Sequence, residues 1–156
     1  MPDSSDIDNA LIAKLGADAT LLALMPNGVY FDEAPPASTR FVIVSLVDAQ
    51  DVAQLGGRAY EDVLYLVEAR ALSTSGGDVK TAYARIETLL EDGALTVSGY
   101  GLMTMHREGR PTGRVEVDDA DRSIRWYRRG GYYRVQMAVT ADASPSWMQT
   151  GDWFQR

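Results

Sequence analysis

Between residues 122 and 134, planar cations alternate with aromatic rings: Arg122, Arg125, Arg128 and Arg129 interleave with Trp126, Tyr127, Tyr132 and Tyr133. Residues of these types do two kinds of chemistry. Guanidinium groups neutralise phosphates while rings stack on bases, and the same side chains are enriched as anchors of protein–protein interfaces. The overall charge favours the interface. The chain carries 22 acidic against 15 basic side chains, a formal −7, whereas broad contact with nucleic acid or an anionic membrane needs a cationic surface. Arg107, Arg110 and Arg114 upstream, and Trp147, Trp153 and Phe154 downstream, complete the candidate interface set.

The charge is unevenly placed. Residues 1–106 hold 6 basic and 15 acidic side chains, a balance of −9, whereas residues 107–134 hold 8 arginines and 5 acids, a balance of +3. A solvated surface of mixed charge is the plain reading of such a pattern, and two unlike faces on one subunit is the functional one.

Other chemistries lack their residues. With no cysteine, disulfides, thiolate zinc sites, iron–sulfur clusters and cysteine nucleophiles are excluded. His106 is the single histidine, so no multi-histidine metal site exists. No Gly-x-Ser-x-Gly elbow occurs. Gly56-Gly57-Arg58 and Gly76-Gly77-Asp78 are too short for a phosphate loop and lack its lysine, and they read as turns. Glu116, Asp118, Asp119 and Asp121 are ligand types for a hard cation, without the glycine and terminal glutamate of an EF-hand loop. A pair of catalytic carboxylates leaves no spacing signature, since any two of 22 acids can converge. No cofactor is implied, and the chain is expected not to be an enzyme.

The elements that position these residues suit one domain. A chain of 156 residues, 46% of them hydrophobic, buries enough surface for a core without staples. Its first residues lack the basic and apolar regions of a signal peptide. The longest apolar run, residues 41–47, is strand-sized rather than membrane-sized, so a cytosolic protein without membrane contact is expected where it is made.

Residues 6–15 predict an amphipathic helix capped by Ser4 or Ser5, with Ile7, Ala10, Leu11 and Leu15 on its apolar face. Asp18 caps a second short turn, ended by Pro26-Asn27-Gly28. A brief strand over 29–32 and an unpaired double-proline segment follow. Residues 40–47 predict a central strand covered on both faces, and 48–58 a long polar loop, functional or mobile. Residues 60–72 form a strand whose odd positions make an apolar row. Asp78 caps a helix over 78–91 that Gly93 stops. Residues 101–107 and 114–117 are expected to form a strand and its return around a turn at 108–113. Residues 118–131 are too charged for core, and 132–140 close the sheet. The fold class is α+β, a single domain with a mainly antiparallel β-sheet and helices packed on one face. Residues 1–140 make the domain, and 141–156 an aromatic tail that either folds back or docks on a neighbour.

The order of these features carries a resemblance. The helix with Asp6-x-x-x-x-Leu11 leads through Pro26-Asn27-Gly28-Val29-Tyr30, the double proline, Phe41-Val42-Ile43-Val44 and the helix at 78–91. An Arg-rich stretch then runs into Tyr133-Arg134-Val135-Gln136-Met137. Over residues 5–140 this succession resembles the tail-terminator (tail-completion, head-tail joining) proteins of long-tailed bacteriophages, the group that includes the lambda tail terminator. The resemblance implies a structural virion protein, assembled in the host cytoplasm and resident at the head-tail junction. It implies a hexameric ring that caps the completed tail tube, stops its polymerisation and offers a surface to the head connector. The partners implied are further copies of the chain, the tail tube protein and a head-completion or connector protein, with DNA passing only in transit. Another phage neck component, such as a head-completion or stopper protein, is the nearest alternative reading. A small α+β ligand- or nucleic-acid-binding module is a more distant one.

Overall fold

The computed structural model describes residues 3–55, 57–73, 76–111, 114–117, 120–121 and 123–140. Helices α1 (Ser5–Gly16) and α2 (Ala19–Leu24) precede strands β1 (Val29–Phe31), β2 (Arg40–Gln54) and β3 (Gly57–Ser73). Helix α3 (Gly77–Leu90) then leads into β4 (Tyr100–Gly109), β5 (Arg114–Val117) and β6 (Arg125–Val139). The six strands form one mixed sheet in the order β1-β2-β3-β6-β4, with β5 also on β6. Among the described residues, only the β1–β2 pairing is parallel. The α+β expectation holds.

All three helices pack on one face of this sheet. The odd row of β3 (Val63, Tyr65, Val67, Ala69, Ala71) is buried as its alternation predicts, together with Val42, Val44, Tyr133, Val135 and Met137 from its neighbours. Against them lie Ile7, Leu11 and Leu15 of α1, Leu21 of α2, and Val79, Ala82, Ile86 and Leu90 of α3. Tyr65 donates a hydrogen bond to Asp8, tying α1 to the sheet. Asp18 caps α2 by accepting from the Leu21 amide at 2.9 Å. Its carboxylate also receives both Nε (2.8 Å) and Nη2 (2.6 Å) of Arg85 on α3. These guanidinium bonds hold the Asp18 carboxyl down at about 2.

Several expectations are corrected. Residues 48–58 are not a loop: β2 runs on to Gln54 and pairs with β3 back to Gly57, so they form the outer half of a long hairpin. The ladder satisfies the backbone there without any burial, and burial was what the sequence pattern could report. Nor do 114–117 return along β4. Strands β4 and β5 both run antiparallel to β6 on the same edge, β4 against residues 132–139 and β5 against 125–128. They are two pieces of one interrupted strand. Strand β6 also begins at Arg125, because its arginines sit on a sheet face that water reaches. Asp78 does not cap α3. It lies in the first turn and pairs with Arg40 at 2.8 Å, and the capping position is Gly76. Helix α3 stops with Asp92 in the left-handed region, φ 53°.

Gly130 sits where a strand interior normally disfavours glycine. A Cβ there would lie 2.4 Å from the Val67 carbonyl oxygen and 2.9 Å from the Glu68 Cα. The close approach of β3 and β6 therefore requires a residue without a side chain.

Candidate interaction surfaces

The arginines of the 107–134 stretch divide by what they touch. Arg107 reaches back to α3, pairing with Glu87 and donating to the Tyr83 hydroxyl at 3.4 Å. Arg128 pairs with Glu116 across the β5–β6 ladder at 2.8 Å. Arg134 bridges Asp62 on β3 (2.5 Å) and Glu108 on β4 (2.8 Å). These cations are used within the subunit, joining β4 to α3 or neighbouring strands to each other on half-exposed surface, where each pair contributes only about 0–1 kcal/mol.

Arg110 and Arg129 are differently placed. They share a cavity of about 420 Å³ with Lys80, Arg128, Val79, Pro111, Val115 and Tyr127. Four of these lining residues are cations and none is acidic. Arg129 stacks over the Tyr83 ring at 6.0 Å. Among the described residues, Lys80, Arg110 and Arg129 have no carboxylate partner. Exposed Val115 and half-buried Tyr127 and Pro111 make the floor apolar, so the site offers a basic rim around a greasy centre.

At the other end of the sheet the character reverses. Asp3, Asp8, Asp51 and Glu61 line a cleft of about 330 Å³ between the start of α1 and the hairpin, with Leu46, Ala49 and Gln50. Buried Glu61 accepts from Arg58 (2.6 Å) and from the Tyr100 hydroxyl (2.9 Å), fixing the root of the hairpin to β4. Burial, followed by the Glu61 hydrogen bond, pushes the Tyr100 phenol up to about 12. The hairpin exposes Leu46 and Val47 on the core side of this root and, completely, Leu55 beyond it.

The face opposite the helices is only partly covered. Phe41 and Trp126 meet edge to face at 5.9 Å, and the double-proline segment borders Phe41 and Ile43. So Trp126 is half-buried against its own subunit.

The structure thus brings Arg110, Arg128 and Arg129 together, turns Arg107 towards Glu87 instead, and places Trp126 in a second, smaller pocket that Arg128 shares with Phe41, Arg70 and Glu116. Arg125 is exposed at the start of β6, and Arg114 pairs through its backbone with Arg128. Arg122, Trp147, Trp153 and Phe154 lie outside the described residues, as do Asp118 and Asp119. No group of three metal-ligating side chains occurs among the described residues, and no helix is long and apolar enough to cross a membrane. Sequence reasoning missed Lys80 and Val115 at the cavity. Its signal lay in Lys80, a cation on the first turn of a helix otherwise read for its apolar face. It also missed the hairpin, signalled by Gly56-Gly57 between runs of similar length.

Comparison with known proteins gives two kinds of likeness. A family model described as tail completion protein gp17 matches residues 9–141. A solved chain from the virion of a native gene transfer agent (GTA) particle is 22% identical. That match covers 85% of this chain and 94% of that chain, with a TM-score of 0.63. A second solved chain, 13% identical, matches over 91% of this chain and 99% of its own with a TM-score of 0.53. Both likenesses concern the fold. No curated protein sequence matches significantly.

Proposed function

The chain belongs to the tail completion protein gp17 family, structural proteins of the phage virion, and from that premise we propose that it forms a ring, hexameric in number, that caps the finished tail tube. In this reading the ring halts tube polymerisation at the end facing the head and gives the head-completion or connector protein its attachment surface. Residues 1–140 are the ring-forming unit and 141–156 an arm for a neighbour or the tube. Assembly takes place in the host cytoplasm. DNA passes through the hole without a held contact, and surplus acid on the wall repels it.

The family match across residues 9–141, which takes in all six strands, carries this reading. The geometry supports it. A ring is built from heterologous contacts, in which one face of a subunit meets a different face of the next. The basic cavity and the acidic hairpin end are two such unlike faces on one sheet.

Purified protein added to polymerising tail tubes tests the proposal. Tubes capped at the head-facing end by six-subunit rings are expected in electron micrographs. Tubes that grow on uncapped overturn it, and attachment only to a preformed head connector reassigns the chain to another neck position.

A further inference from the structure

Cations held close together repel one another, and an acidic chain has carboxylates enough to pair them. Yet in this chain of −7, Lys80, Arg110 and Arg129 line one cavity and lack a carboxylate partner among the described residues. Their setting is built rather than incidental. Arg129 rests over the Tyr83 ring at 6.0 Å, an attraction that places the guanidinium without a carboxylate. Tyr127 floors the cavity and packs on Gly76, where a Cβ would come within 2.9 Å of the ring. Any larger residue at 76 would displace that floor. Val79, Pro111 and Val115 extend the apolar lining, and at about 420 Å³ the cavity has the size of sites that enclose a ligand.

This combination selects its occupant. A duplex carries phosphates along a wide, convex outer surface, meets the field of the whole acidic chain, and has no apolar group to seat on Tyr127 and Val115. A short peptide with carboxylates on either side of a large apolar side chain supplies both parts, and its charges sense mainly cations within the screening length of about 8 Å. A second copy offers no such segment among the described residues. Exposed Val47 adjoins a single acid, Asp48, on a strand already paired into the sheet. Exposed Val115 and Val117 flank Glu116, which Arg128 takes at 2.8 Å. We propose that the cavity receives an acidic segment of a different virion protein, its apolar side chain on Tyr127 and Val115 and its carboxylates at Lys80, Arg110 and Arg129. The rim charges set partner choice and encounter rate, and the seated side chain supplies the anchor. This goes beyond the ring reading and rests only on the chain's place in the virion.

Lysine is scarce in the chain, occurring only at Lys14 and Lys80, which makes the test direct. A carbodiimide joins an amine to a carboxylate that it touches. Treating virions that contain the chain is expected to link Lys80 to an acid beside a large apolar residue of a different virion protein. Lys80→Arg keeps the charge and is expected to abolish that link in intact particles. A link to another copy of this chain, or no link at Lys80, overturns the proposal. For the purified full chain the probe is a fluorescent peptide of four aspartates around one leucine. Lys80→Glu combined with Arg110→Glu is expected to lower its affinity at least tenfold while the circular dichroism spectrum stays that of the wild type. Serine in place of the leucine is expected to weaken binding severalfold. Equal binding by the double variant overturns the proposal. Duplex DNA that displaces the peptide, and that the double variant no longer binds, makes the cavity a nucleic-acid site and also overturns it. Native mass keeps the two readings apart. A double variant left monomeric where the wild type forms six-subunit rings assigns the cavity to contact between copies, so this proposal fails and the ring stands. A Lys80 link without any ring sinks the ring reading alone.

Discussion

Strand β2 is two different structures in one continuous ladder. Residues 41–44 are buried on both faces, whereas residues 46–51 are exposed on both, yet the same antiparallel pairing to β3 runs through each half. The inner half is held by packing. The outer half is held by backbone hydrogen bonds, whose net contribution is modest because water competes for the same groups. A segment that contributes little to the core yet keeps a defined shape is suited to contact with something outside the subunit.

Substitutions separate the two halves by size of effect. The largest is expected at Gly130, where a Cβ meets backbone rather than a side chain that can move. Gly130→Ala should cost about 3 kcal/mol in urea unfolding, the upper end of ordinary overpacking. A change near zero would show that β3 and β6 slide apart freely. Next is Asp18→Ala, which removes the α2 cap and the Arg85 pair at once. About 2 kcal/mol is expected, given that Arg85 is one-third exposed. Its pH dependence has a definite sign. The folded carboxyl sits at about 2 against an ordinary 3.8, so its stabilisation is intact above about pH 4 and is lost as pH falls through about 2. Acid unfolding of the variant should lack that component.

Tyr65→Phe is a smaller break in the same half. Burial chiefly raises the Asp8 carboxyl, and the Tyr65 hydrogen bond opposes it. Removing the hydroxyl should therefore cost about 1 kcal/mol at neutral pH, and less once Asp8 is protonated in acid. An equal loss at both pH values would assign the effect to packing. The smallest effect is expected in the outer half: Leu55→Asp should change stability by less than about 0.5 kcal/mol. A larger loss would erase the distinction between the halves.

The inner half was the legible one. Helix α3 and the odd row of β3 announce themselves because burial imposes a period on residue type, and Val79, Ala82, Ile86 and Leu90 keep it. Residues 48–58 have no buried residue among those described, so they kept no period and read as a loop. The course of β5 was hidden for a different reason. Glu108 to Arg114 carries turn-forming residues, but which strand β5 joins is decided by β6, distant in sequence. The arginines were legible as a type and not by role: Arg128 and Arg134 find Glu116 and Asp62 through strand register and Arg107 finds Glu87 on α3, whereas Arg110 and Arg129 have no carboxylate partner among the described residues.

Register shifts interrupt β2 between Leu46 and Asp48, and β4 between Leu102 and Thr104, leaving Val47 and Met103 half-exposed. Both irregularities fall on strands with an open side among the described residues: β4 at the sheet margin, and β2 beyond its short pairing with β1. A bulge bends such a strand and spoils it as a template for another chain. For a structural protein of the virion, this is protection against fibres: an edge that a second strand cannot extend stops one subunit from templating the next.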